Sequence, residues 1–263
     1  MPEAHVNGIR LYYEEHGEGR PILCIHGAGS SALLWADAVE ELARLGRVIA
    51  YDRRGLGRSE RPEPYERTTV NEHADDAAAM LDALSAVPAV VIGRSFGGWV
   101  ATDLALRYPD RVRALVLLEP DAPGLTPAAD QWVSAFSERM RAVAAKAGVE
   151  AVGEALISEV AGEDAWRSFP DDVRRTLTDN GPALLVELHA YEGAHVDAAA
   201  LATMERPVLL LAAADSPCEF REVTEALADA LPNARLAMIG GGHLIDPAAP
   251  AVLAFIEEVL QSR

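Results

Sequence analysis

The sequence predicts an α/β protein whose mostly parallel sheet is covered by helices on both faces. Short apolar runs rich in β-branched residues alternate with longer segments whose apolar residues recur at helical spacing. The strand signal stops over residues 121–206, where Gly and Pro separate several helical segments, and it then resumes. We therefore expect one core built from residues 1–120 and 207–263, with a helical lid of residues 121–206 inserted into it.

The first half of the chain supplies most of the predicted strands. Val6-Asn7-Gly8-Ile9 is typical of a tight turn between two short strands, and residues 11–15 alternate as an exposed antiparallel edge would. We then expect buried strands over 21–25, 48–51, 89–92 and 112–118, and helices over about 33–45, 70–84 and 97–108.

The same apolar patterns predict the elements of the insertion and of the last part of the chain. Helical segments are expected over 129–147, 149–160, 171–179 and 183–191. The alternation then resumes with strands over 208–211 and 234–239 and helices over 220–231 and 248–260.

Composition excludes several classes of protein. Asp and Glu outnumber Lys and Arg by 41 to 23, and the net charge of −18 disfavours a nucleic-acid partner or an anionic membrane surface. No run approaches the roughly 18 apolar residues of a membrane span, and the first ten residues lack the apolar stretch of a signal peptide. Two cysteines without C-x-x-C spacing predict neither a disulfide framework nor a zinc site. We expect a cytoplasmic protein with a small-molecule substrate; a homodimer is left open.

Gly93-Arg94-Ser95-Phe96-Gly97 is the stretch with the clearest chemical meaning. It follows a predicted buried strand and opens a predicted helix, so Ser95 lies on an abrupt strand-to-helix turn. A sharp turn lifts the hydroxyl clear of its neighbours, and the flanking glycines leave room for the crowded backbone. The pattern predicts a nucleophile elbow with Ser95 as the nucleophile.

A serine nucleophile needs a base and an acid to hold that base. His243 follows the last predicted strand in Gly240-Gly241-Gly242-His243, and Asp215 follows the strand before it. The chain order Ser, Asp, His is that of the α/β-hydrolase fold. Glu119, at the end of the strand after the elbow, competes with Asp215 for the role of acid; the sequence favours Asp215.

Over essentially its full length the chain resembles the α/β-hydrolase family. Besides the three residues above, His26-Gly27-Ala28-Gly29 resembles the family's oxyanion loop, and the segment from Asp52 to Ser59 is similar to its D-x-R-G-x-G-x-S loop. The resemblance implies an eight-stranded sheet with the lid after the sixth strand. It also implies an oxyanion hole made by the backbone N–H groups of Ala28 and Phe96. Some family members carry the acid at the position of Glu119.

Several further residues are candidates for contact with the substrate. Arg94 lies beside the nucleophile, and an ion-paired structural role competes with contact to a substrate carboxylate. Trp132, Phe136 and His189 lie in the insertion, which in this architecture roofs the site. His26 is expected to support the oxyanion loop. No cluster has metal-ligand spacing, and neither a metal nor a cofactor is predicted.

The predicted activity is a serine hydrolase that cleaves a small ester or related carbonyl substrate through an acyl-enzyme. C–C bond hydrolases, lactonases, amidases and cofactor-free perhydrolases share these motifs, so the resemblance leaves them open. A non-catalytic ligand receptor on the same fold is a further alternative. The least favoured alternative is an NAD(P)-binding oxidoreductase, because residues 27–32 satisfy G-x-G-x-x-A after a strand and Asp52 ends the next strand.

Overall fold

A computed structural model describes residues 2–262, so Met1 and Arg263 of the predicted core lie outside the described residues. Its centre is one sheet of eight strands in the order β1-β2-β4-β3-β5-β6-β7-β8. The strands are β1 (Glu3–Val6), β2 (Ile9–His16), β3 (Pro21–Ile25), β4 (Arg47–Tyr51), β5 (Ala89–Arg94), β6 (Val112–Leu118), β7 (Val208–Ala213) and β8 (Ala234–Ile239). The predicted fold class is confirmed.

Strand direction explains why the site residues meet. From β4 through β3, β5, β6 and β7 to β8 all neighbours are parallel, whereas β2 runs antiparallel to both β1 and β4. Parallel strands end at one edge of the sheet, and ligands bind outside that edge. The loops after β3, β5, β6 and β8 therefore gather at one place.

One strand lies elsewhere than the sequence predicted. Residues 11–15 belong to β2, which lies between β1 and β4, so β1 is the exposed edge. Leu11 is fully buried and Tyr12 nearly so. The turn between the two strands agrees with the sequence, because Asn7 and Gly8 both have positive φ, of 45° and 77°.

The helices bury both faces of the sheet. One apolar cluster includes Leu23 and Val91 with α2 and α3, and the other includes Ile22 and Val90 with α1 and α11. Residues alternate along β3 and β5 between these clusters, as strands buried on both faces require. These helices are α1 (Ala36–Ala43), α2 (Val70–Ala83), α3 (Phe96–Arg107), α10 (Cys218–Ala230) and α11 (Pro250–Gln261).

In the described part of the chain, the segment between β6 and β7 contains helices and no strand; its residues 121–206 are here called the helical insertion. Two of them, α6 and α9, have four to six residues and were not predicted, because so short a segment shows little periodicity. The insertion contains α4 (Pro127–Ala147), α5 (Val152–Ala161), α6 (Glu163–Ser168), α7 (Asp171–Asp179), α8 (Gly181–Glu187) and α9 (Ala198–Leu201).

Candidate active site

Ser95 connects β5 directly to α3. Its φ of 51° and ψ of −125° lie in a region that non-glycine residues seldom adopt, at a cost of about 1–3 kcal/mol. Neighbouring strands hold the turn, because the Ser95 N–H donates to the Leu118 carbonyl at 3.1 Å and the Ser95 carbonyl accepts from the Asp121 N–H at 3.1 Å. This is the abrupt turn that the sequence predicted at Ser95.

The glycines of the elbow are required by the close approach of α3 to β3. A Cβ at Gly97 would collide with the carbonyl oxygens of Ile25 and His26, and one at Gly93 would lie 2.5 Å from the Gly97 carbonyl oxygen. Gly27 lies against the nucleophile itself, since a Cβ there would be 3.5 Å from that of Ser95. The elbow and the loop after β3 are therefore packed together.

His243 is held by Glu119. The Nδ1 atom of His243 lies 2.7 Å from Oε2 of Glu119, and both side chains are buried. The same carboxylate accepts from the Ala213 N–H and the Ser216 hydroxyl, each at 2.8 Å. With these neighbours donating to it, Glu119 takes the Nδ1–H of His243, which leaves Nε2 of the imidazole free as an acceptor.

The structure corrects the sequence-based choice of Asp215 as the partner of His243. Asp215 is exposed, and its backbone N–H donates to the Gly241 carbonyl at 2.9 Å. Strand β7 continues to Ala213, so the chain passes the sheet edge before it reaches Asp215. Glu119 instead follows β6 directly, with a positive φ of 42°. Strand-end order could not separate two acids that follow adjacent strands.

The predicted oxyanion donors lie in the loop after β3 and at the start of α3. Within residues 2–262, no acceptor is recorded for the backbone N–H of Ala28 or for that of Phe96. The first N–H groups of a helix have no partner inside it, so Phe96 is suited to bind an anion. Ala28 is half-buried, and its neighbours on both sides are buried.

The buried Arg53 side chain binds the backbone of the loop after β3. The Arg53 guanidinium donates to the carbonyls of His26 at 3.0 Å and Gly27 at 2.8 Å, and it pairs with Glu187 of the helical insertion. Glu187 in turn accepts from the Gly29 N–H at 2.7 Å. The insertion therefore helps to shape the loop after β3, a role for Glu187 and Arg53 that the sequence did not reveal.

Two further side chains complete this support. Asn180, also in the insertion, donates to the carbonyls of Gly29 and Ser30 and accepts from the Gly57 N–H at 2.9 Å. His26 accepts from the Arg53 N–H through Nε2 at 2.9 Å, and its Nδ1 faces the Gly27 carbonyl. Burial, reinforced by the charge of Arg53, holds the pKa of His26 well below its usual range. These contacts are those of the structural histidine that the sequence predicted.

Aromatic side chains cover His243. The Phe220 ring stacks on the imidazole at a centroid distance of 4.1 Å, and Trp132 meets Phe220 edge-on at 4.9 Å. Phe136 stacks behind Trp132 at 5.1 Å. Trp132 is thus one ring removed from the histidine and Phe136 two, whereas Phe220, which the sequence analysis did not single out, makes the contact.

Arg94 and His189, which the sequence suggested as substrate contacts, are instead bound to other parts of the protein. Arg94 is buried and donates to the Ile245 carbonyl, while its guanidinium lies over the Trp35 ring at 5.2 Å. Burial lowers its pKa to about 10. His189 lies 2.8 Å from Glu192 at the surface. These contacts favour structural roles for both residues.

In the described part of the chain, no helix combines the length and apolar character needed to cross a membrane. Nor do three or more His, Cys, Asp or Glu side chains gather there in an arrangement that could hold a metal ion.

Comparison with known proteins identifies hydrolases that are similar to this chain. A family model described as alpha/beta hydrolase fold matches residues 20–245. "Putative carbamate hydrolase RutD" of Azorhizobium caulinodans is 31% identical over 266 residues, which cover 96% of this chain and 95% of that protein. The 2-hydroxymuconate semialdehyde hydrolase of Pseudomonas sp. strain CF600 is 44% identical over 116 residues, 42% of this chain and 40% of that protein.

A solved structure resembles the whole chain. The thermophilic esterase from Thermogutta terrifontis superposes with a TM-score of 0.78 at 27% identity and covers 99% of this chain and 97% of its own. The match of the family model over most of the chain, the full-length relative and the superposition on the esterase agree. The chain therefore belongs to the α/β-hydrolase fold family and is a hydrolase of that superfamily.

Proposed function

We propose that the chain is a serine hydrolase that cleaves a small ester or related carbonyl substrate through an acyl-enzyme at Ser95. The observation that carries the proposal is the buried pair of His243 and Glu119 on the sheet edge where Ser95 occupies its strained turn. Strain at a polar residue beside a buried histidine–carboxylate pair is typical of an active site. The full-length relative and the esterase structure, both from hydrolases, add support.

In the proposed mechanism, Nε2 of His243 takes the proton of the Ser95 hydroxyl as its oxygen bonds to the substrate carbonyl carbon. Glu119 keeps the imidazole in the required tautomer and stabilises the imidazolium that forms. The N–H groups of Ala28 and Phe96 bind the new oxyanion, each contributing about 3 kcal/mol to stabilisation of the transition state. His243 then protonates the leaving group, and the same residues activate water to cleave the acyl-enzyme.

The helical insertion has two parts in this proposal. The segment that bears Asn180 and Glu187 supports the oxyanion loop, and α4, which bears Trp132, closes over the histidine through Phe220. We propose that the insertion acts as a lid, as the domain division of the sequence predicts. Exclusion of water by such a cover strengthens the electrostatic contacts beneath it.

The test is turnover of a p-nitrophenyl acyl ester by the protein and by its Ser95→Ala variant. We expect Ser95→Ala to lose the activity while its circular dichroism and Tm stay unchanged. Residual activity near that of the unchanged protein would refute the assignment of Ser95. A panel that adds a cyclic ester and a β-diketone separates esterase from lactonase and C–C bond hydrolase.

The two alternatives from other classes of protein, a ligand receptor and an oxidoreductase, predict different outcomes. Labelling of Ser95 by a fluorophosphonate without turnover of any substrate in the panel would favour a ligand receptor. A large rise in Tm with NAD(P) would favour the oxidoreductase.

A further inference from the structure

Asp121 is hydrogen-bonded through its backbone to the predicted nucleophile. It comes two residues after Glu119, and its backbone N–H donates to the Ser95 carbonyl at 3.1 Å. The Tyr191 hydroxyl donates to Oδ2 of Asp121 at 2.5 Å. No partner is recorded for Oδ1 among residues 2–262. One oxygen of this carboxyl group is therefore fixed, and the other is available to a ligand.

Asp121 lines a small cavity, and another residue of its lining, Phe220, also contacts His243. The Tyr191 and Phe220 side chains form two of its walls, and its volume is about 20 Å³. Phe220 stacks on His243 at 4.1 Å, and the Tyr191 ring packs edge-on against Phe96 at 5.8 Å. A space of this size admits a small group such as a water molecule, a hydroxyl or an ammonium.

The charged residues that line this cavity determine whether it attracts a cation or an anion. The charged side chains around the cavity are all carboxylates: Asp121, Asp130, which accepts from the Gly124 N–H, and Glu219. The remaining lining is apolar and includes three aromatic residues, Trp132, Tyr191 and Phe220, beside proline, alanine and valine. Carboxylates and aromatic faces attract a cation and repel an anion.

The surroundings of Asp121 also affect the pKa of its carboxyl group. Its pKa is raised chiefly because the carboxyl group is removed from water, although the Tyr191 hydroxyl and the charge of His243 act in the opposite direction. Asp121 is partly buried, and a carboxylate that has lost part of its water gains from a donor that replaces it.

We propose that Asp121 is a specificity-determining residue that accepts a hydrogen bond from a small donor on the substrate, an ammonium or a hydroxyl group. The inference rests on the proposed hydrolase function and names a substrate class for it: esters that carry such a donor a few bonds from the reacting carbonyl. An ammonium group is favoured over a hydroxyl because every charged group of the lining is acidic.

The experiment compares esters that differ only in this group. On the acyl side, ethyl β-alaninate, ethyl 3-hydroxypropionate and ethyl butyrate have the same chain and end in ammonium, hydroxyl and methyl. On the alcohol side, 2-hydroxyethyl butyrate is compared with propyl butyrate, which ends in methyl instead of hydroxyl. Hydrolysis is followed at constant pH near neutrality, and kcat/KM is taken for each ester.

We expect the unchanged protein to prefer the donor ester of at least one series by about tenfold or more, the range of a charged hydrogen bond. Asp121→Asn places an amide where the carboxylate was and should reduce that preference by about tenfold. Asp164→Asn makes the same charge change at an exposed aspartate of the insertion and should leave the preference unchanged. Because the preference is a ratio within one preparation, partial misfolding of a variant does not alter it.

Equal kcat/KM within each series for the unchanged protein would overturn the inference while leaving the hydrolase function intact. So would a preference that Asp121→Asn leaves unaltered. If no ester is hydrolysed at all, the proposed function fails, and this inference fails with it.

Discussion

The Glu119 carboxylate and the His243 imidazole form a pair whose atoms lie 2.7 Å apart, with side chains that are 0% and 4% exposed. The carboxylate also accepts from the Ala213 N–H and the Ser216 hydroxyl, so β7 and the turn after it hold it in place. A carboxylate fixed in this way determines which nitrogen of the histidine carries the proton.

Substitution of Glu119 tests that role. Glu119→Gln keeps the shape of the side chain but removes the charge and favours the wrong tautomer of His243. We expect kcat to fall by about 10²–10⁴-fold, as such a change does in a serine triad. Steady-state kinetics with a p-nitrophenyl ester measure it. Asp215→Asn at the exposed competing position should change kcat less than about threefold, and the reverse ranking would assign the acid to Asp215.

The sequence predicted the strands, the elbow and His243 because each depends on local pattern. Buried strands show as apolar runs, and a glycine-flanked serine at a strand end marks a sharp turn. The choice between Glu119 and Asp215 depends on which side chain turns toward the histidine. Glu119 follows β6 directly with a positive φ of 42°, whereas Asp215 lies two residues past the end of β7, and no local sequence pattern indicates either feature.

The contacts that support the loop after β3 could not be predicted from the sequence for a related reason. Glu187 pairs with Arg53 across 134 positions of the chain. Glu187 lies on a helix whose pattern predicts only apolar packing. A long-range contact between an insertion and the core leaves no periodic signal, whereas His26, adjacent to the loop it supports, could be recognised.

Loss of the buried ion pair between Arg53 and Glu187 should affect both stability and activity. Glu187→Gln leaves the fully buried Arg53 without its charge partner, which costs about 3–5 kcal/mol in the free energy of unfolding. It also weakens the contact that holds the Gly29 N–H. Urea denaturation measures the first effect and kcat the second. Glu163→Gln, at an exposed pair on α6, should cost less than about 1 kcal/mol; equal losses for the two variants would contradict the assignment.

His73 gives a prediction for the dependence of stability on pH. Burial, with the charges of Arg53 and Arg54, holds the pKa of His73 well below its usual range. The unfolded chain therefore binds a proton that the folded chain does not, and stability falls as the pH drops below about 6.5.

The size of this dependence can be measured by difference. His73 should contribute a slope of up to about 1.4 kcal/mol per pH unit below that point. Unfolding free energies between pH 6.5 and 5 should therefore fall less steeply for His73→Gln than for the unchanged protein. The same substitution at the exposed His5 serves as the control. Identical slopes for His73→Gln and the unchanged protein would show that His73 does not titrate differently on unfolding.

Substitution of Gly97 by alanine would have two opposing effects on stability, a gain in helix propensity and a steric collision. It lies in the first turn of α3, and alanine is favoured over glycine inside a helix by about 1 kcal/mol. A Cβ at Gly97, however, would collide with the carbonyl oxygens of Ile25 and His26, which belong to backbone and cannot swing aside. Overpacking of this kind costs about 1–3 kcal/mol or more.

We expect the collision to outweigh the helix preference, because relief requires α3 to move away from β3 and carry Ser95 with it. Gly97→Ala should lower the free energy of unfolding in urea and slow the labelling of Ser95 by a fluorophosphonate. Gly240→Ala is the matched control, since a Cβ there would meet nothing within 4 Å, and it should change stability by less than about 0.5 kcal/mol. A Gly97→Ala protein as stable and as rapidly labelled as the control would mean that the elbow does not need the close packing of α3 on β3.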